Sequence, residues 1–306
     1  MTLFALAAAA TLAAAELSIP GPKGPLAATL TDPGRRAPAI ILIPGSGPTD
    51  RNGDNPLGVS GGIYRQLATQ LAAQRVATLR IDKRGMFASK AAIANGNDVT
   101  IAAYAADVRG WARLLRQRGK PCAWLAGHSE GGLVALAAAQ NPKMICGLIL
   151  LAAPGRRLGA VLREQLKSLP AAKFGLADAA IAKLERRQRV DPASVPPELR
   201  PVFNPAVQGY MIDLLSIDPA ALAARTRLPM IVIQGDADLQ VTVADARALA
   251  AAHRGARLVI LPNVNHVWKS ATAGDRVGNL ATYGNPALAI DPAVATTIAR
   301  FVKPRR

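Results

Sequence analysis

The sequence predicts an α/β protein in which helices flank a mostly parallel sheet. Short apolar runs alternate with longer stretches of helical periodicity, the pattern of strands joined by crossover helices. The alternation stops after residue 154 and resumes at residue 228, which indicates a helical insertion. The chain has 306 residues, half of them hydrophobic, so it can bury a large core as one domain that carries an insertion.

The predicted elements follow this order along the chain. The first half contains a hairpin at 16–30, strands at 37–43, 76–81, 123–126 and 147–153, and helices at 63–74, 104–118 and 133–140. The insertion, residues 155–227, has amphipathic helical stretches at 158–169 and 176–189 and a proline-rich stretch at 191–205. The last part has strands at 229–234 and 257–261, helices at 244–253 and 292–302, and an irregular loop at 270–286. We therefore assign residues 16–154 and 228–306 to the core, and residues 155–227 to a helical cap.

The N-terminal segment resembles a signal peptide. Residues 3–15 are apolar and alanine-rich and precede Glu16, although no Lys or Arg stands before them. They are fewer than the roughly 20 apolar residues that a membrane-spanning helix needs. An alanine-rich N-terminal helix is the alternative. We predict a signal peptide at residues 1–15 and a periplasmic or secreted protein, with a cytoplasmic location as the alternative.

The two cysteines, Cys122 and Cys146, stand close to the starts of two predicted neighbouring strands. Aligned strands would bring the thiols within bridging range, and an exported protein would permit a disulfide. Two small buried apolar side chains are an equally good interpretation. The sequence leaves this choice open.

The formal net charge of +17 raises the question of a nucleic-acid partner. The excess positive charge is spread along the chain, and no run of five like charges occurs. This distribution favours an arginine-rich solvated surface, so we expect neither nucleic-acid binding nor a membrane span. The oligomeric state is not predicted.

The strongest local motif is Gly127-His128-Ser129-Glu130-Gly131, which fits G-x-S-x-G between a predicted strand and a predicted helix. In that context the tight turn holds the serine hydroxyl out above the sheet. The helix that follows offers free N–H groups to an oxyanion. We predict Ser129 as a nucleophile.

A serine nucleophile needs a base and an acid. His266 follows a core strand and is the preferred base, since His128 is adjacent to the serine on the elbow and His253 is predicted to be a surface or helix C-capping residue. Asp238 is the preferred acid, while Asp236 is expected to bond to the loop backbone. The order Ser129, Asp238, His266 matches the order known for serine hydrolases of this topology.

An oxyanion hole needs two backbone N–H groups. Glu130, directly after the serine, is the first candidate. The second lies in Pro44-Gly-Ser-Gly-Pro48, where glycines let the backbone approach a substrate closely. Ser46 is the preferred donor in that loop, and Gly47 is the alternative.

The chain resembles the α/β-hydrolase superfamily over nearly its full length. The motifs Gly-His-Ser-Glu-Gly-Gly (127–132), Gly-Ser-Gly-Pro-Thr-Asp-Arg (45–51) and Asp-Lys-Arg-Gly (82–85) are similar to a bacterial esterase subgroup that includes esterase D and serine-aminopeptidase-like hydrolases. Many superfamily members have His where this chain has Pro44. The resemblance implies hydrolysis of short acyl esters through an acyl-enzyme, with triad roles for Ser129, Asp238 and His266.

The expected function is a serine carboxylesterase for short- to medium-chain acyl esters. No metal-ligand or phosphate-loop motif occurs in the sequence, so no cofactor is expected and the partner is a small-molecule ester. A peptidase of the aminopeptidase type would use the same triad, with a cap carboxylate such as Glu164, Glu185 or Asp213 binding a substrate amine. An acyltransferase would use it too, with a bound alcohol or amine in place of water. The complete order of triad residues argues against a non-catalytic binding protein.

Overall fold

The computed structural model describes residues 14–272 and 274–303. Its strands are β1 (Ala14–Pro20), β2 (Pro25–Thr31), β3 (Ala39–Ile43), β4 (Ala77–Ile81), β5 (Ala123–His128), β6 (Ile145–Leu151), β7 (Met230–Gly235) and β8 (Arg257–Leu261). Its helices are α1 (Ile63–Ala73), α2 (Ile101–Gln117), α3 (Glu130–Ala138), α4 (Leu158–Leu166), α5 (Ala171–Glu185), α6 (Gln208–Ser216), α7 (Pro219–Arg225), α8 (Val243–Ala252), α9 (Arg276–Ala281) and α10 (Pro292–Val302). The predicted α/β fold class is confirmed.

The strands of the described residues form one eight-stranded sheet in the order β1-β2-β4-β3-β5-β6-β7-β8. The β1–β2 hairpin pairs antiparallel with the rest at one edge, and β4, β3, β5, β6, β7 and β8 run parallel to one another. Every residue of β3 and β4 is buried, as expected for inner parallel strands covered on both faces.

Alternating residues of the inner strands belong to two hydrophobic clusters, one on each face of the sheet. In β3, Ile41 and Ile43 pack with side chains of α2, α3 and α8. Ile40 and Leu42 face the opposite way and pack with side chains of α1 and α10. The sheet is therefore covered by helices on both faces, and the edge formed by the carboxyl ends of its strands remains for a site.

Several element boundaries differ from the sequence prediction. Strand β5 extends to His128, and α3 begins at Glu130 and not at residue 133, because the elbow occupies a single residue between them. The stretch at 270–286, predicted as irregular, contains α9. This helix has six residues and is capped by Asp275, which precedes it and whose side chain accepts a hydrogen bond from the Gly278 N–H. So short a helix has too little apolar periodicity to be recognised in the sequence.

Between β6 and β7 the described residues form no strand. They form four α-helices, α4 to α7, and two short 3₁₀ helices, Pro192–Ser194 and Pro197–Leu199. Helices α6 and α7 were not predicted, and the second amphipathic stretch forms α5 at 171–185. A small hydrophobic cluster around Leu184 and Phe203 lies within this segment. The division into a core and a cap at 155–227 stays a prediction. None of the described helices is both long and apolar enough to cross a bilayer.

The predicted signal peptide at residues 1–15 falls almost entirely on residues 1–13, which lie outside the described residues. Ala14 and Ala15 belong to β1, where they pair with Thr31 and Leu30. The signal peptide and the export of the protein stay predictions.

Cys122 and Cys146 form a disulfide, with a Cα–Cα distance of 5.3 Å. Strands β5 and β6 are parallel neighbours, and the two cysteines lie at their amino-terminal ends. The structure thus decides the choice between a disulfide and two buried thiols that the sequence left open.

We expect removal of this disulfide to destabilise the fold. It closes a loop with a sequence separation of 24 residues, and the entropy that the unfolded chain gains when such a loop is freed corresponds to about 3.5 kcal/mol. The free energy of unfolding in guanidinium chloride should fall by about that amount in the double variant Cys122→Ala/Cys146→Ala. Adding a reductant should reproduce the loss in the wild type and leave the double variant unchanged. Equal midpoints for the oxidised wild type and the double variant would contradict the prediction.

Candidate active site

The candidate residues lie on segments that follow four strands at the carboxyl edge of the sheet. Ser46 follows β3, Ser129 follows β5, Asp238 follows β7 and His266 follows β8. In a parallel sheet such segments converge, because successive strands end at the same edge. Residues far apart in the sequence are therefore neighbours in space.

Ser129 occupies a strained turn between β5 and α3. Its backbone has φ 52° and ψ −124°, a conformation that non-glycine residues rarely adopt. Two glycines make the turn possible: a Cβ on Gly127 would stand 2.2 Å from the Gly131 carbonyl oxygen, and a Cβ on Gly131 would stand 2.3 Å from the Ile43 carbonyl oxygen. Helix α3 therefore approaches the sheet more closely than any side chain at these positions would permit.

Asp238 and His266 form a buried pair, with 2.8 Å between Asp238 Oδ2 and His266 Nδ1. The other carboxylate oxygen accepts hydrogen bonds from the N–H groups of Gln240 and Val241. Burial alone would raise the pKa of Asp238, but the nearby His266 imidazole and these hydrogen bonds together lower it below its usual value. The ionised carboxylate accepts from His266 Nδ1–H, which leaves Nε2 free to accept a proton.

Ser129 and His266 line one cavity of about 110 Å³, together with Ser46 and Tyr283. A second cavity of about 460 Å³ also reaches Ser129, Glu130 and Ser46. Its walls are mainly apolar side chains from α4, α6 and the loops around them, including Leu158, Val161, Val202, Met211 and Leu214. A hydroxyl, an imidazole paired with a carboxylate, and an apolar pocket thus meet at one place, as acyl transfer requires.

The two predicted oxyanion donors flank the serine. Glu130 is the first residue of α3, and the first N–H groups of a helix have no acceptor within the helix. Ser46 lies in the turn after β3 and lines both cavities. Across this turn, a Cβ on Gly45 would stand 3.3 Å from Ser129 Cβ, so the glycine brings the Ser46 loop close to the nucleophile candidate.

Asp236 and His253, which were the less favoured candidates for acid and base, do not form the Asp–His pair of the site. Asp236 Oδ1 accepts a hydrogen bond from the Asn263 N–H at 2.6 Å, as expected for a loop-bonding carboxylate. Of the two positions predicted for His253, the structure confirms the C-cap of α8, and its side chain is buried and not at the surface. Its two ring nitrogens have no hydrogen-bond partner among the described residues.

A hydrogen-bonded chain beside the site was not predicted from the sequence. The Gly45 N–H donates to Tyr64 Oη at 3.1 Å, and that hydroxyl lies 2.8 Å from His128 Nδ1. His128 Nε2 lies 2.9 Å from the backbone carbonyl oxygen of His266 and donates to it. The Tyr64 hydroxyl therefore donates to His128, and this chain joins the Ser46 loop to the His266 loop. The only sequence signal was the presence of a histidine beside Ser129.

His128 is neutral in this network. Burial and the neighbouring His266 lower the pKa of His128 from 6.5 to about 3. The unfolded chain therefore binds a proton that the folded chain excludes between pH 6.5 and 3, so His128 opposes folding as the pH falls through that window. Above pH 6.5 the imidazole is neutral in both the folded and the unfolded chain, so this penalty to folding is absent.

We expect the wild type to lose stability as the pH falls from 6.5 toward 3, with a contribution from His128 of up to about 1.4 kcal/mol per pH unit. The variant His128→Gln keeps a donor and an acceptor but does not titrate, so its stability should vary less over the same window. Denaturant midpoints at successive pH values measure both slopes. Asp238 and Asp245 also have lowered pKa values, so their carboxylates stabilise the fold above pH 3.8, and this stabilisation is lost as the pH falls below that value. The loss is expected in the wild type and in the variant alike. Parallel profiles would contradict the assignment.

The fold and the site define a class of protein. A parallel sheet with a strained serine elbow, followed by an acid and a histidine in that order, is the arrangement of the α/β hydrolases. Comparison with known families agrees, since the alpha/beta hydrolase family matches residues 40–274. The chain belongs to the alpha/beta hydrolase family.

The chain is similar to esterase EstD of Thermotoga maritima, with 27% identity over 270 residues. The match covers 87% of this chain and 62% of the esterase, so the chain spans less than two thirds of that relative. Among solved structures, proline iminopeptidase of Mycobacterium smegmatis superposes with a TM-score of 0.62 at 15% identity, covering 94% of this chain and 97% of the other. The esterase domain of a Rhodothermus marinus protein has a TM-score of 0.55 at 18% identity, covering 95% and 100%. At such identities the two superpositions show the shared fold.

Proposed function

We propose that the protein is a serine carboxylesterase that hydrolyses short- to medium-chain acyl esters through an acyl-enzyme. One observation supports this above all others: Ser129, on a strained elbow, shares a cavity with His266, whose Nδ1 is bound to the buried Asp238. The similarity to an esterase from Thermotoga maritima supports the ester as the substrate class.

The proposed reaction begins when His266 Nε2 accepts the proton of the Ser129 hydroxyl as the oxygen attacks the ester carbonyl carbon. The N–H groups of Glu130 and Ser46 stabilise the resulting oxyanion. His266 then gives its proton to the leaving alcohol, and the acyl group remains on Ser129. A water molecule, deprotonated by His266, attacks the acyl-enzyme. The bond to Ser129 Oγ then breaks, His266 returns the proton to that oxygen, and the acid is released. Asp238 stabilises the imidazolium that forms in each half-reaction.

The apolar cavity of about 460 Å³ supports the proposed size of the substrate. Its apolar walls suit a hydrocarbon chain and offer few partners to a charged group. Helices α4 and α6, which lie within the proposed cap at 155–227, supply much of this wall. We therefore propose that the cap selects the acyl and alcohol parts of the substrate.

The contacts of the cap carboxylates do not favour an aminopeptidase. Glu164 pairs with Arg156 at 2.6 Å, and Glu185 pairs with Arg163 at 2.9 Å. Asp213 Oδ2 accepts a hydrogen bond from the Ile101 N–H at 2.7 Å. Each of the three carboxylates proposed from the sequence as an amine-binding group is thus already engaged. None of the three lines the cavities at Ser129.

A panel of p-nitrophenyl esters of increasing acyl length tests the proposal. We expect hydrolysis of esters with short and medium acyl chains. We also expect a fluorophosphonate probe to label the protein, and mass spectrometry should place the label on the peptide that contains Ser129. Aminoacyl amides serve as the matched peptidase substrates and should not be hydrolysed. A folded protein that hydrolyses no ester, or that is labelled at another residue, would exclude a Ser129 esterase.

We also propose that the protein is exported. The disulfide between Cys122 and Cys146 supports this, because disulfides persist mainly in oxidising compartments. Fractionation of cells that produce the full chain, with N-terminal sequencing of the mature protein, tests both the location and the predicted signal peptide at residues 1–15. Recovery of an unprocessed chain from the cytoplasm would contradict the proposal.

A further inference from the structure

The motif Asp82-Lys83-Arg84-Gly85, which follows β4, contains a buried lysine for which the proposed mechanism gives no role. Two of its neighbours have evident structural contacts: Asp82 accepts hydrogen bonds from the N–H groups of Arg51 and Ala88, and Arg84 pairs with Asp107. Lys83 is only 3% exposed. A lysine is rarely buried to this extent unless it is paired, so its contacts indicate what it does.

Lys83 Nζ makes two hydrogen bonds, one to each side of the proposed oxyanion hole. It donates to the Gly45 carbonyl oxygen at 2.6 Å and to Glu130 Oε1 at 3.0 Å. Gly45 precedes Ser46, and the backbone of Glu130 supplies the other proposed oxyanion donor. A single ammonium group thus connects the loop after β3 with the first turn of α3.

The hydrogen bond from Lys83 to the Gly45 carbonyl acts on the peptide group that also contains the Ser46 N–H. The Gly45 carbonyl and the Ser46 N–H belong to the same planar peptide unit, so they point in opposite directions. A cation on the carbonyl oxygen fixes the direction of the N–H and increases its positive partial charge, because hydrogen bonds in a chain polarise one another. Such a donor is oriented before the reaction begins, which is the property an oxyanion hole needs.

We propose that Lys83 is a positioning residue that orients and polarises the Gly45–Ser46 peptide as an oxyanion donor. This inference rests on the proposed esterase function. The buried carboxylate of Glu130 balances the charge of Lys83, so the ammonium group acts on the peptide without adding net charge to the site. The Gly45 N–H donates to Tyr64 Oη, so both polar backbone groups of Gly45 are held by hydrogen bonds.

The test compares two variants that differ only at residue 83. Replacing Lys83 alone would leave Glu130 buried without a partner, which could unfold the protein. The reference is therefore Glu130→Gln, whose amide oxygen can still accept a hydrogen bond from Lys83 Nζ and whose backbone N–H is retained, and the test variant is Lys83→Met/Glu130→Gln. Because the reference also removes a countercharge, the unfolding midpoints of both variants are measured, and kcat is compared only for folded protein. We expect kcat to fall about a hundredfold from the reference to the double variant. KM should change little, because the donor acts on the transition state more than on the bound ester.

A transition-state analogue gives a second readout. An alkylboronic acid forms a tetrahedral adduct with a serine nucleophile, and its inhibition constant should rise between the two variants in parallel with the fall in kcat. A merely structural lysine would lower stability without this selective loss. The control is Lys120→Met, since Lys120 is also buried, pairs with Asp32 at 2.9 Å and donates to the Gly34 carbonyl at 3.0 Å, but is remote from both cavities. It should lower the unfolding midpoint and leave kcat of the folded protein unchanged.

Equal kcat values for Glu130→Gln and the double variant would overturn the role of Lys83 while the esterase proposal stands. A loss of activity that appears only in KM, or without weaker boronate binding, would also overturn it. If the wild type hydrolyses no ester, the proposed function fails, and the role of Lys83 fails with it.

Discussion

Replacing Ser129 by alanine should lower kcat by about a millionfold, the loss that removal of the nucleophile causes in serine proteases with this triad. The variant keeps the His266–Asp238 pair and the backbone donors, so a small residual rate above the uncatalysed reaction should remain. The side chain of Ser129 makes no hydrogen bond to the described residues that its loss would break. We therefore expect the same unfolding midpoint as the wild type.

The measurement is kcat on the best ester of the acyl-length panel, together with fluorophosphonate labelling. Both should be lost in Ser129→Ala. A variant that retains more than about a hundredth of the wild-type kcat would show that another group attacks the ester, because a bound water in the serine's place is a much poorer catalyst.

Asp238→Asn should lower kcat by about ten-thousandfold through the tautomer of His266. Asp238 Oδ2 accepts from both His266 Nδ1 and Gln234 Nε2, and Oδ1 accepts from the Gln240 and Val241 N–H groups. An asparagine that keeps its oxygen toward the two backbone donors turns its NH₂ group toward His266. His266 must then accept at Nδ1 and carry its proton on Nε2, where it can no longer take the proton of Ser129.

The matched control is Asp236→Asn, two residues away on the same loop. Asp236 Oδ1 accepts one hydrogen bond, from the Asn263 N–H, and an asparagine oxygen can accept it equally well. We expect kcat to stay close to that of the wild type. The measurement is the steady-state kcat of both variants on one ester. A larger fall in kcat in Asp236→Asn than in Asp238→Asn would reassign the acid to Asp236.

Much of the fold could be predicted because its signals are local. The buried strands β3, β6 and β7 are continuous apolar runs, and the G-x-S-x-G elbow between a strand and a helix is recognisable within a few residues. The choice of Asp238 over Asp236 and of His266 over the other histidines agrees with the one buried Asp–His pair of the described site. The helices α6, α7 and α9 were missed because they have only nine, seven and six residues, which is too short for a clear helical period of apolar residues.

The sequence by itself therefore determined the α/β class, the succession of strands along the chain and the choice of candidate serine, acid and histidine, because each depends on periodicity or on the residues within one turn. The tertiary structure decided the disulfide, the buried histidine His128 and the contacts of Lys83. These depend on which strands are neighbours in the sheet and which loops meet at its edge: Lys83 and Glu130 are 47 residues apart, and His128 and Tyr64 are 64 apart. Packing brings such groups together, and no pattern confined to either segment records the contact.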